Sequence, residues 1–130
     1  MSVHITSIYA ALLGLVFVAL EVPIGRLRTA TNVSLYDGGN KELAVAIRRH
    51  ANFVEHVPLA LLLMALLELG GAGAGLLNGL GVVLLVARIV HPFGLDYDQM
   101  RNPLRGIGAA GTGLVILIAS GALIWRFLAH

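Results

Sequence analysis

The sequence predicts an all-α integral membrane protein, a bundle of four transmembrane helices, and three observations predict it. First, 58% of its 130 residues are hydrophobic and 12% are charged, with a mean hydropathy of +0.87; soluble domains carry about 25% charged residues. Too few polar side chains are available to cover a core of this size in water. Second, the apolar residues gather into four segments, residues 5–27, 43–69, 76–95 and 104–128, each close to or above the roughly 20 residues a helix needs to cross a bilayer. These lengths exclude the strands of a transmembrane barrel, which run to about 9 to 11 alternating residues. Third, the basic residues are asymmetric: eight of the nine Lys and Arg flank the 1–2 and 3–4 connections, and Arg126 alone lies at the other end. The positive-inside rule puts those two connections in the cytoplasm and both termini outside.

The first span has no basic residue before it and is closed by Glu21, Pro23 and Arg26, without a small-residue cleavage site, so it is expected to be retained as a helix and not removed as a signal. The following connection, Thr29 to Glu42, holds Asn32, Ser34, Asp37, Gly38, Gly39 and Asn40, a turn-forming cluster expected to lie over the cytoplasmic mouth. The second span opens with Arg48, Arg49, His50, Asn52, Glu55 and His56 before its purely apolar part. Charge in hydrocarbon costs roughly 2.5 to 3.5 kcal/mol per residue on insertion scales, so such residues face a partner, a cavity or a ligand. At 100 degrees per residue, Arg48, Asn52 and Glu55 fall within about 60 degrees of one another and share a face. Arg49 and His50 point elsewhere; Arg49 is expected to snorkel toward headgroups.

Gly70 to Gly75 forms a small-residue outer turn. The third span carries Arg88 and His91, three residues apart and stacked on one face. Arg88 has two readings: a structural ion pair with Glu55 across the bundle, or an anion clamp using its fork of donors. The fourth span begins at Pro103, a residue suited to the first helical position, with Arg101 and Arg105 around it. A helix start with free amide donors and two cations suits an anion. The glycines and alanines from Gly106 to Gly113, with Gly79 and Gly81, are expected to allow close helix packing.

The short connections point to a single domain over residues 1–130. With no cysteine, disulfides, thiolate nucleophiles and cysteine metal sites are excluded. No His-x-x-x-His pair, phosphate loop or Ser/His/Asp arrangement occurs, so no metal is expected. The net charge of +2 follows from the topology and not from a nucleic-acid surface.

The set Arg48-x-x-x-Asn52-x-x-Glu55-x-x-Pro58, then Arg88-x-x-His91, then Arg101-x-Pro103-x-Arg105, resembles the MAPEG family, the membrane-associated proteins in eicosanoid and glutathione metabolism, and its length is similar to the small bacterial members. The resemblance covers nearly the whole chain. It implies a homotrimer in a bacterial inner membrane, with glutathione as co-substrate bound at the cytoplasmic side between subunits and lipophilic small molecules arriving from membrane lipid. It further implies that Arg48, His50, Asn52, Glu55, Arg88, His91 and Arg101 surround glutathione, and that Arg105 is the catalytic residue, stabilising the thiolate. A cation near sulfur favours thiolate, the nucleophilic form. The activity implied is conjugation of glutathione to lipophilic electrophiles, reduction of lipid hydroperoxides, or both. Three positions depart from family patterns: Gly106 replaces a serine used by some isomerases, Leu95 stands where a tyrosine is expected with Tyr97 out of register, and Ala51 replaces a basic residue. Two rivals stay open: a small proton-coupled multidrug transporter using Glu55, and a non-catalytic member of the same family.

Overall fold

A computed structural model describes residues 2–129. Four helices follow one another: α1 (His4–Thr31), α2 (Lys41–Leu69), α3 (Ala74–Val90) and α4 (Pro103–Leu128), with a 3-10 turn, His91–Gly94, continuing α3. All four are long and apolar enough to cross a membrane, the third when the 3-10 turn is included. The four expected segments therefore coincide with four helices. Their ends differ where caps decide.

α1 runs four residues past its apolar segment and stops at Asn32, whose left-handed backbone (φ 55°) lets its N–H return to the Arg28 carbonyl. Arg28 then donates to the Val33 and Tyr36 carbonyls at 3.2 and 3.0 Å, fixing the connection. The Asn40 side chain accepts from Leu43 N at 2.8 Å and starts α2. α3 ends sooner than the expected continuous helix to residue 95. Pro92 carries no amide hydrogen, and the chain tightens into the 3-10 turn at that point. Asn102 caps α4 by accepting from Leu104 N, with Pro103 at the first helical position as its sequence predicts.

The core is a seam of Leu13, Phe53, Val57, Met64, Leu67, Leu77, Leu84 and Val115, all buried, contributed by all four helices. Glycine lets the helices meet. A side chain at Gly81 would overlap the Tyr9 ring, and one at Gly108 would overlap His91. Gly79, Gly106 and Gly113 have open space instead, so the small-residue expectation holds for one face of α4 and not for the other.

Candidate functional site

At the end of the bundle formed by the 1–2 and 3–4 connections, a cavity of about 370 Å³ opens between α2, the 3-10 turn and α4. Four of the residues singled out in the sequence line it: Arg48 and Asn52 from α2, His91 from the 3-10 turn, and Arg105 from the first turn of α4. Helical spacing explains the first two, which lie one turn apart on one face. The other two depend on glycine. At Gly94 a Cβ would collide with the Arg105 backbone, and at Gly108 with His91, so these two glycines are what let α4 lie against the 3-10 turn and bring Arg105 and His91 to one wall.

Arg88 sits behind that wall, 1% exposed. Its Nη2 donates to Asn52 Oδ1 at 2.8 Å and lies 3.5 Å from His91 Nδ1, while Nη1 donates to Thr112 Oγ1 at 3.3 Å. Thr112 in turn donates to the Gly108 carbonyl. Arg88 thus orients two cavity residues from different elements. The alternative of an Arg88–Glu55 ion pair is not what forms. Asn52, one turn earlier on α2, meets Arg88, while Glu55 is exposed and pairs with Arg48 along its own helix at 3.3 Å. That pair is open on the surface of the single chain, with the two side chains 58% and 51% exposed.

The remaining predicted residues fall elsewhere. His50 turns toward α1 and packs edge-on against Phe17, ring centroids 4.6 Å apart. Arg101 is exposed and shares with Arg105 a shallow depression around Asn102 and Gly106, outside the main cavity. Arg49 does not reach outward as its snorkelling reading expects; its Nη2 donates to the Leu95 carbonyl at 3.2 Å and braces α2 to the end of the 3-10 turn. His56 is satisfied locally, its Nδ1 2.7 Å from the Asn52 carbonyl.

Sequence reasoning missed several cavity residues. Asp37, Asp96 and Tyr97 all line it, the first from the loop expected over the mouth. Lys41 binds Asp98 at 2.8 Å and lies 4.9 Å from the Tyr97 ring centroid, tying the two connections together across the opening. The available signal was the Asp96-x-Asp98 turn, in which the Asp96 carboxylate accepts from Asp98 N and Gln99 N. Leu95 and Tyr97 both face the same space, so a tyrosine out of register still reaches it.

An exposed Arg48, a half-buried Arg105, a buried arginine aligning their neighbours, and a cavity with polar and apolar walls at one end of four membrane-length helices belong to a multi-pass membrane protein. Residues 6–125 match the sequence profile of the MAPEG family. The chain is also 33% identical over 114 residues to the inner membrane protein YecN of Escherichia coli K12, covering 88% of this chain and 87% of that protein, with the same figures for YecN of Escherichia coli O6:H1. No solved structure matches it. The chain belongs to the MAPEG family.

Proposed function

We propose that this protein is a glutathione transferase-like enzyme of the bacterial inner membrane, acting as a homotrimer on lipophilic electrophiles or lipid hydroperoxides. The observation that carries the reading is the convergence of Arg48, Asn52, His91 and Arg105 on one cavity. Glutathione has two carboxylates, one ammonium and one thiol. Arg48 and Asn52 offer donors to a carboxylate, Glu55 offers an acceptor for the ammonium beside them, and Arg105 stands where a thiolate gains from positive charge. Moving a thiol pKa by about two units needs nearly 3 kcal/mol, and the free amides of the first turn of α4 add to Arg105. The thiolate then attacks the electrophilic carbon, its sulfur forming the new bond as the leaving group departs.

The trimer rests on the Arg48–Glu55 pair. Half-exposed charges within a membrane-spanning helix are expensive against lipid, and a neighbouring subunit would cover them. The inner-membrane assignment follows from the similarity to YecN and the four membrane-length helices. The cluster of basic residues at the cavity end supports a cytoplasmic position for that end, where a hydrophilic peptide is available. The transporter alternative needs Glu55 to face a passage across the bundle; its engagement by Arg48 on the outer surface favours the transferase.

The test is a thermal-shift titration of detergent-purified protein with glutathione, together with conjugation of a chromogenic aryl halide. A ligand held by the folded state raises stability with concentration. The shift and the turnover should both appear, with turnover lost in Arg105→Ala. No shift at millimolar glutathione removes the reading.

A further inference from the structure

Arg88 touches the two cavity residues that are able to act as donor or as acceptor. Asn52 ends in a carbonyl oxygen and an NH2 group, and in an imidazole such as His91 one ring nitrogen carries the proton while the other accepts. A guanidinium has donors alone and keeps its charge. Arg88 Nη2 donates to Asn52 Oδ1 at 2.8 Å, so the amide oxygen is held behind the wall and the NH2 group is left for the cavity. The same Nη2 lies 3.5 Å from His91 Nδ1. A proton on Nδ1 would point at the N–H groups of a cation, so Nδ1 is the accepting nitrogen and the ring proton sits on Nε2. Arg88 is itself fixed from behind: Nη1 donates to Thr112 Oγ1, whose own proton goes to the Gly108 carbonyl.

The free ends of both side chains are reachable. The side-chain polar atoms sealed from the surface without a partner are Thr6 Oγ1, Arg49 Nε, His50 Nε2 and Arg88 Nε. Asn52 Nδ2 and His91 Nε2 have no partner among the described residues either, yet they are not sealed. His91 is 2% exposed, and that small area includes Nε2. The two ring nitrogens point in divergent directions, so with Nδ1 on Arg88 behind the wall, Nε2 faces the cavity that His91 lines. We propose that Arg88 is a positioning residue that sets the hydrogen-bond polarity of the cavity wall, so that Asn52 and His91 both meet a ligand as donors beside Arg48 and Arg105. At these two positions the wall takes a carboxylate, a thiolate or a carbonyl oxygen, and offers nothing to an incoming N–H or O–H. For a thiol the consequence is specific: His91 donates to the sulfur and cannot take its proton, which passes to solvent water and leaves the electron pair on sulfur. That consequence rests on the glutathione transferase reading; the position of the ring proton does not.

Solid-state nitrogen NMR of the full chain, isotopically labelled at histidine and held in frozen lipid bilayers without glutathione, reads the proton directly. The His91 signals are identified by their loss in His91→Gln. The wild type should show a one-bond N–H coupling at Nε2 and none at Nδ1, and Arg88→Gln, whose amide is able to accept as well as donate, should show both tautomers. A proton on Nδ1 in the wild type overturns the proposal, and so does an unchanged tautomer in folded Arg88→Gln. If that variant does not fold, the wild-type spectrum decides alone. The donor role is read separately, in aryl-halide conjugation. His91→Phe should lose at least about tenfold more of kcat than His91→Gln, which keeps an N–H donor, the scale of one hydrogen bond to a charged group. Equal losses overturn the donor role. Absence of turnover in the wild type would remove the transferase reading, and the spectrum would then decide the polarity of the wall.

Discussion

Where α2 turns into α3, Glu68 accepts from the Ile5 and Thr6 backbone N–H groups, both at 2.8 Å, and Arg126 donates to the Gly70 carbonyl. Each charge there closes a helix end that has no intrahelical partner of its own. At the opposite end, Arg48 and Arg105 line a cavity with Arg88 behind its wall, and Arg49 and Arg88 each keep an Nε–H with no acceptor among the described residues. At one end the charges go to backbone groups at helix ends; at the other, Arg28 and Arg49 also bond backbone carbonyls, while Arg48 and Arg105 line the cavity. The difference shows how to separate structural from functional charge in a membrane bundle: by what each group bonds to, and not by how deep it lies. Arg88 is the most buried charge in the fold and acts mainly by aligning Asn52 and His91.

Four substitutions would break or sharpen this contrast. The largest effect is expected from Arg88→Ala, which leaves Asn52 and Thr112 without their donor and opens a void; it should lower unfolding stability by about 3 to 4 kcal/mol, measured by thermal or denaturant unfolding in detergent. A loss below about 1 kcal/mol would mean that the buried node is not structural. Next comes Arg105→Ala, expected to reduce kcat/KM for aryl-halide conjugation by about a hundredfold, the scale of one lost charge-stabilising donor, while the melting temperature stays nearly unchanged. A parallel loss of stability would move Arg105 into the structural group. Gly94→Ala should follow at about 2 kcal/mol, because a methyl there pushes α4 away from the 3-10 turn; glutathione affinity should fall with it, read by the same thermal-shift titration. The smallest is Glu68→Gln, about 1 kcal/mol from a weakened helix cap, with conjugation per folded molecule unaltered. A change in turnover there would dissolve the distinction between the two ends.

Much of the fold was legible because bilayer crossing is a demand on length and hydropathy, and both are written along the chain. The four segments, the glycine turn between α2 and α3, and Pro103 at the start of α4 are of this kind. The Arg48, Asn52 and Glu55 face followed from helical angle alone, and the three do lie along one side of α2. Other features depend on neighbours. His50 and Asn52 are two residues apart, yet one packs on Phe17 and the other lines the cavity. Asp37, Asp96 and Tyr97 come from irregular connections, where no periodicity predicts direction.

The sequence by itself determined that this chain has four segments long and apolar enough to cross a membrane, which end of the bundle carries the charge, and, through its motif, that it belongs to the MAPEG family. Hydropathy, spacing and cap chemistry act within a few residues of where they are written, so one chain read in order reveals them. Only the tertiary structure decided which acceptor each arginine meets. Arg88 pairs with Asn52 instead of Glu55, Arg49 with Leu95 instead of headgroups, and Arg105 joins His91 because two glycines let α4 approach the 3-10 turn. Those outcomes depend on the approach and rotation of helices far apart in sequence, which close packing sets and no local pattern records.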